Sequence, residues 1–223
     1  MVSRQRPITL TKLSVTLDPV STRHPSDSEY AAGSQCAQTL VPDRTFDAML
    51  MHSMLAPSDT DEPRPLEVLI IPGGRGTRYS KTMDPVVKFV KEIAPHVKYI
   101  ITVCTGSHIA AQAEVLDGRR ATTNKLNFNQ IKESRPAEAR VQWIRRARWI
   151  VDQGENLPKD DSELSRFQRR TKHLKVWTSS GVSAGIDAMF DFVETLYGEE
   201  LADDVALKIE YVRNKVWDDD PFA

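Results

Sequence analysis

Among the 223 residues, Cys104 is the side chain whose type and setting best fit covalent chemistry. It follows the run Val97-Lys98-Tyr99-Ile100-Ile101-Thr102-Val103 and opens Cys104-Thr105-Gly106-Ser107, after which Ile109 to Leu116 reads as a helix. A thiol at a strand-to-helix turn lies at the positive end of the helix dipole, which favours the nucleophilic thiolate. Thr105, Gly106 and Ser107 are small enough for a tight turn, a nucleophile elbow, and for close approach of a substrate. The backbone N–H groups of Thr105 and Gly74 then stand as donors for a developing oxyanion. The plainer alternative is that Cys104 is a small buried hydrophobe; the turn is what weighs against it.

The elements around the turn must place it at a strand end. Leu66-Glu67-Val68-Leu69-Ile70-Ile71 and Val97–Val103 are near-continuous apolar runs, which suit strands buried on both faces of a parallel sheet. The first ends in Pro72-Gly73-Gly74-Arg75-Gly76-Thr77 and leads to a helix with Asp84 as its cap, Pro85 in its first turn and Val86, Phe89, Val90 and Ile93 as its stripe. Alternation over residues 8–17 predicts a strand. Residues 21–35 and 52–65 read as loops. Ala121-Thr122-Thr123 is a short strand, Asn127 to Ser134 a helix, and 147–152 and 174–179 are paired strands. Two helices close the chain, carrying Ile186, Met189, Phe190, Val193 and Leu196, then Leu201, Val205, Ile209 and Val212. The polar stretch 153–173 offers almost nothing to bury and reads as a surface insertion. Strand-helix alternation with glycine-rich strand ends specifies an α/β fold with a mostly parallel sheet, in one domain spanning 1–223. Ligands bind such sheets at the carboxyl ends of the strands, where the Gly73-Gly74, Cys104 and Ser179-Ser180-Gly181 turns converge.

Thirty Lys and Arg against 31 Asp and Glu give a formal charge of −1, which argues against an electrostatic grip on nucleic acid or acidic lipid. A small-molecule substrate is expected instead. Two cysteines, Cys36 and Cys104, make no disulfide framework. The first residues carry no apolar segment of a secretory signal, and no apolar run approaches a membrane span, so a cytoplasmic protein is expected. The histidines, His24, His52, His96, His108 and His173, form no metal-spaced cluster, and the Gly73–Gly76 turn lacks the pattern of a phosphate or dinucleotide loop. No metal and no cofactor are expected. His108 reads as a surface or packed residue, and Arg140, Arg145, Arg146 and Arg148 as a solvated face.

Four segments together resemble the ThiJ/PfpI family, of flavodoxin-like, glutamine-amidotransferase-like fold. They are Ile70–Arg78, Val103–Ser107, Leu116–Thr123 and Thr178–Asp187. The likeness is greatest to the isonitrile-hydratase branch and its fungal relatives, over about Leu13 to Tyr211. It implies a three-layer sandwich, a nucleophile at Cys104, amide donors at Thr105 and Gly74, and a catalytic side chain at Thr105. Gly73, Asn124 and Gly181 join the substrate-binding set. It also implies a hydratase or hydro-lyase acting on a small electrophile such as an isonitrile or an α-oxoaldehyde, and a homodimer.

Two departures bear on activity. The family's opening strand, and the helix whose acid touches the cysteine, find no counterpart, so the chain reads as N-terminally incomplete. Asp18 is the only early acid near a strand end, and its context matches the exit of the second strand. Asn124 stands where some relatives place a histidine, and an amide cannot serve as a general base near neutral pH. The resemblance therefore also admits a non-catalytic relative that binds or senses oxidation.

Overall fold

The computed structural model describes residues 8–21, 38–56, 65–78 and 80–223. Cys36, His24, most of the 21–35 loop and residues 57–64 of the second expected loop lie outside them.

The central sheet has four strands in the order β5 (Val68–Ile71), β6 (Tyr99–Thr102), β10 (Lys175–Ser179) and β9 (Trp149–Asp152). The first three are parallel, and β9 runs antiparallel to β10. Side chains alternate across a strand, so adjacent residues feed opposite layers. Ile100 and Val176 pack into one core with Phe89, Val90 and Ile93 of α2 (Ser80–Ile93) and Ile109 and Ala110 of α3 (Gly106–Gln112). Ile101 and Trp177 turn the other way, onto Ala188 and Phe192 of α6 (Val182–Tyr197). Helix α7 (Glu199–Lys208) packs on α6 through Ala202 and Ala206, which meet Phe190. The result is the three-layer, flavodoxin-like α/β sandwich read from the sequence.

Small pairs flank this core: β1 (Leu13–Ser14) with β4 (Arg44–Thr45), β2 (Val20–Ser21) with β3 (Thr39–Leu40), and β7 (Arg120–Ala121) with β8 (Gln142–Trp143). Helix α4 (Phe128–Glu133) follows β7, within the expected span. Among the described residues β5 pairs only with β6, and Ile70 on its α6-facing side is 43% exposed.

Several expectations are corrected. The strand expected over 8–17 is confined to Leu13–Ser14, with Val15 and Leu17 exposed. Alternation makes a strand only where a neighbour supplies the ladder, and β4 offers two residues. Residues 52–55, expected as loop, end the helix α1 (Phe46–Leu55), which Thr45 caps by accepting the Ala48 N–H at 3.2 Å. Helix α2 starts at Ser80, so Pro85 lies inside it and Asp84 is not its cap. Helix α3 ends at Gln112, with Glu114 at φ +65° just beyond, and α7 ends at Lys208, leaving Val212 exposed.

The 153–173 stretch is not bare. It carries α5 (Arg166–Thr171), opened by a capping box between Ser165 and Gln168, and it buries Leu157 and Leu164. A buried ion pair holds its base. Arg119 Nη1 reaches Asp152 Oδ1 at 2.9 Å, and Arg119 Nη2 donates to the Thr171 carbonyl at 2.9 Å. The Asp152 carboxylate also accepts the Arg120 and Gly154 N–H groups. Among the described residues no helix is long and apolar enough to cross a membrane.

Candidate active site

Cys104 sits between β6 and α3 in the left-handed region, at φ +56°. An L-residue there is strained by the close approach of Cβ and the following carbonyl. The surroundings hold it in place. Ser107 Oγ donates to the Cys104 carbonyl at 3.1 Å, and Thr123 Oγ1 to the same oxygen at 3.2 Å, with the two hydroxyls 2.7 Å apart. Both side chains are fully buried, so the strained peptide is clamped from two elements. The thiol is half-buried.

The turn after β5 lies directly against the elbow. A Cβ on Gly73 would fall 2.6 Å from the Val103 carbonyl oxygen and 2.7 Å from the Thr105 nitrogen, and one on Gly106 would run into the Ile71 carbonyl. Glycine is required at both positions because backbone passes where a side chain would start.

A hydroxyl network joins the two turns. The Gly74 N–H donates to Thr105 Oγ1 at 2.9 Å, and Thr77 Oγ1 lies 2.8 Å from both the Gly74 carbonyl and Thr105 Oγ1. Thr105 Oγ1 is itself 3.2 Å from the Gly74 carbonyl. Thr105 thus spans to the glycine turn through its side chain, and Thr77, not singled out from the sequence, completes the contact. Its signal was only its place at the end of the Gly73–Thr77 turn.

The structure brings Cys104, Thr105, Gly73 and Gly74 together. Asn124 and Gly181 line an adjacent cavity of about 210 Å³ with Lys125, Arg148 and Asp220. The Asn124 carboxamide oxygen accepts the Asn127 N–H at 3.3 Å, capping a short turn. Lys125 is buried. Its ammonium donates to Thr122 Oγ1 at 2.8 Å, Ala147 O at 2.7 Å and Thr123 O at 3.3 Å, and faces Asp220 Oδ2 at 3.5 Å. Desolvation pushes this amine from the ordinary lysine value of 10.5 down to about 8, against the opposing pull of Asp220.

Arg148 corrects the expectation of a solvated arginine face. It is buried and donates through Nη2 to Asp187 Oδ2 at 2.6 Å, while Arg140, Arg145 and Arg146 remain exposed. Asp187 also accepts from Tyr211 Oη and the Asn214 N–H, each at 2.9 Å. Asp220 belongs to a terminal segment that the sequence shows only as an acidic tail. Hydrogen bonds from the Arg148 N–H to Trp217 O and from the Asp220 N–H to Arg146 O tie that segment down beside the cavity. His108 is half-buried with Nδ1 3.2 Å from Ser134 Oγ, and burial lowers its pKa. Asp18 is exposed. Among the described residues no group of three or more His, Cys, Asp or Glu could hold a metal.

Comparison with known proteins fits this geometry. The sequence pattern of the DJ-1/PfpI family matches residues 13–195. An isonitrile hydratase of Pseudomonas putida is 27% identical over 158 residues, covering 70% of this chain and 58% of that protein. A DJ-1 homolog D of Arabidopsis thaliana is 30% identical over 99 residues, covering 42% of this chain and 26% of that protein. The crystal structure of a ThiJ/PfpI family protein from Pseudomonas syringae superposes with a TM-score of 0.59 at 23% identity, over 94% of this chain and 65% of that one. The chain therefore spans less than two thirds of the length of these relatives.

Proposed function

We propose, from the premise that this chain belongs to the DJ-1/PfpI family, that it is a Cys104-dependent hydratase or hydro-lyase for a small electrophile of the isonitrile or α-oxoaldehyde class. The observation that carries the reading is the strained elbow. Cys104 is held at φ +56° by two buried hydroxyls, and glycines clear its approach. Strain maintained by its surroundings at a nucleophilic side chain is characteristic of a reactive position. In this reading Cys104 Sγ bonds to the electrophilic carbon. The Thr105 N–H stabilises the charge that develops, and water then replaces the sulfur. With an isonitrile the sum is addition of one water to give an N-substituted formamide. Thr105, Gly73, Gly74, Asn124 and Gly181 complete the proposed substrate-binding set, and the protein acts as a cytoplasmic homodimer.

One observation favours a second reading, a non-catalytic relative that binds or senses oxidation. The Gly74 N–H, the second expected oxyanion donor, is already occupied by Thr105 Oγ1. To serve a substrate it must exchange that bond.

Turnover of methylglyoxal and of an alkyl isonitrile by the wild type and by Cys104→Ser separates the readings. Loss of turnover in Cys104→Ser supports the enzyme. Equal rates in the two proteins refute it, and no turnover by the wild type together with rapid alkylation of Cys104 leaves the sensing reading.

A further inference from the structure

We propose that Asp220, in the acidic terminal segment, is a positioning residue for the Cys104 elbow, and that it acts through Lys125 and Thr123. The inference rests on Cys104 being the reactive group, as both readings of the function have it, and needs no turnover.

Thr123 is held at both of its polar ends. Its hydroxyl donates to the Cys104 carbonyl at 3.2 Å and lies 2.7 Å from Ser107 Oγ, while its own carbonyl accepts from the Lys125 ammonium at 3.3 Å. Thr123 is fully buried, so water has no surface through which to replace a lost partner. Asn124, of the proposed substrate-binding set, stands between Thr123 and Lys125 in the chain. Whatever moves Lys125 is therefore felt by Asn124 and by the clamp on the strained Cys104 peptide.

The protons on Lys125 are all in use. An ammonium carries three, and three oxygens accept them: Ala147 O at 2.7 Å, Thr122 Oγ1 at 2.8 Å and Thr123 O at 3.3 Å. A neutral amine has one proton fewer, and the bond it forfeits is the longest, to Thr123. Asp220 supplies the charge that keeps the third proton. Its Oδ2 lies 3.5 Å from Lys125 Nζ, with side-chain exposures of 2% for the acid and 5% for the lysine. At that distance the carboxylate acts mainly by its field, against the desolvation that disfavours the cation. Arg145 also bears on the amine, with the opposite effect, and keeps its own proton throughout.

Asp220 is itself fixed in place. Its N–H donates to Arg146 O at 2.8 Å, and its Oδ1 accepts the Phe222 N–H at 3.0 Å. Upstream, the Arg148 N–H donates to Trp217 O at 2.6 Å, and the Arg120 guanidinium lies 5.6 Å from the Trp217 ring centre. The terminal segment is thus anchored on β9 and β7, and its buried acid reaches the elbow through two residues.

Iodoacetamide alkylation of the full chain, read at Cys104 by peptide mass spectrometry so that Cys36 does not contribute, tests this. The variants are Asp220→Asn, Lys125→Met, the two combined, and Asp219→Asn, which removes the same charge from an exposed position. At about pH 7, Asp220→Asn and Lys125→Met should each slow Cys104 about fivefold, the weight of one hydrogen bond. The combined variant should be no slower than Lys125→Met, because Asp220 acts through Lys125. Asp219→Asn should match the wild type. The deficit of Asp220→Asn should close as the pH rises past about 8, where the wild-type amine releases its proton as well. A role in stability alone would not give that profile. Urea unfolding identifies any variant that is not folded; if Asp220→Asn is one, the combined variant, which buries no lone charge, carries the test. Wild-type rates in the folded variants overturn the proposal, as does a deficit that multiplies in the combined variant or persists at high pH. A wild-type Cys104 that resists the reagent refutes the reactive-cysteine reading and this inference together. A reactive Cys104 indifferent to Asp220 and Lys125 refutes this inference alone.

Discussion

Thr77 Oγ1 lies 2.8 Å from Thr105 Oγ1, and this contact between two buried hydroxyls ties the glycine turn after β5 to the elbow after β6. Thr105 receives the Gly74 N–H, and Thr77 lies within hydrogen-bond distance of the Gly74 carbonyl, so both polar groups of Gly74 are held by threonine side chains. The position of the Gly74 N–H, the proposed second oxyanion donor, therefore depends on Thr77, which lies outside the elbow itself.

Thr77→Val keeps the volume and removes the donor. The Gly74 carbonyl then loses its better partner, and a loss of about 1–2 kcal/mol in unfolding free energy is expected. Alkylation of Cys104, or turnover if present, should slow as the turn loosens. Thr77→Ser restores the hydroxyl and should recover the rate while losing a little stability. Urea unfolding and iodoacetamide kinetics read the two effects. A Val variant that matches the wild type in both would show the network to be incidental.

Gly106→Ala sets a favourable effect against an unfavourable one. Alanine is the better helix former by about 1 kcal/mol, and Gly106 opens α3. The new Cβ would run into the Ile71 carbonyl, which is backbone and already accepts the Val103 N–H at 3.0 Å. The clash should prevail, for a net loss of roughly 2–4 kcal/mol. A melting temperature equal to or above that of the wild type would contradict this account of the strand-to-turn packing.

How much of this was legible follows from which residues act locally. Runs such as Leu69-Ile70-Ile71 and Ile100-Ile101 announce buried strands, because both faces must be covered. The Cys104-Thr105-Gly106-Ser107 turn announces an elbow, because only small residues fit it. Lys125, Arg148 and Asp220 gave no such signal. Their roles arise from pairing across 95 residues of chain for Lys125 and Asp220, and 39 for Arg148 and Asp187. A charged residue is read as solvated unless its partner is known. The internal order of the 153–173 stretch, most of which is exposed, is hidden from the sequence for the same reason. Its order depends on Asp152 meeting Arg119, and Leu157 and Leu164 are too sparse to register as a pattern.

Asp152→Ala tests that anchor. Arg119 and Asp152 have side-chain exposures of 2% and 0%, so removing the acid leaves a buried guanidinium charge without its counterion. A loss of about 3–5 kcal/mol is expected. Replacing both residues, as Arg119→Met with Asp152→Leu, should cost less than the single change, because no lone charge is then buried. Limited proteolysis should find new cleavage within 153–173 in the single variant. An unchanged digestion pattern together with a small stability loss would show that the pair is not what holds the stretch.

Lys125 predicts a pH dependence whose sign runs opposite to that of an ordinary ion pair. Its amine falls from 10.5 to about 8 on folding, mainly through desolvation. Below about pH 8 it is protonated in both states, and the folded protein bears the cost of burying the charge. Between about 8 and 10.5 the unfolded chain keeps the proton while the folded one releases it. The unfolded state then binds more protons, and Lys125 makes stability rise with pH by at most about 1.4 kcal/mol per unit. Above 10.5 the contribution levels off, with the burial cost removed. Lys125→Met with Asp220→Asn removes both partners and should abolish this rise. The stability of the wild type relative to that double variant is therefore expected to increase across pH 7.5, 8.5 and 9.5 in urea unfolding. A flat difference would mean that the amine is not depressed, and a falling one that Asp220 outweighs the desolvation.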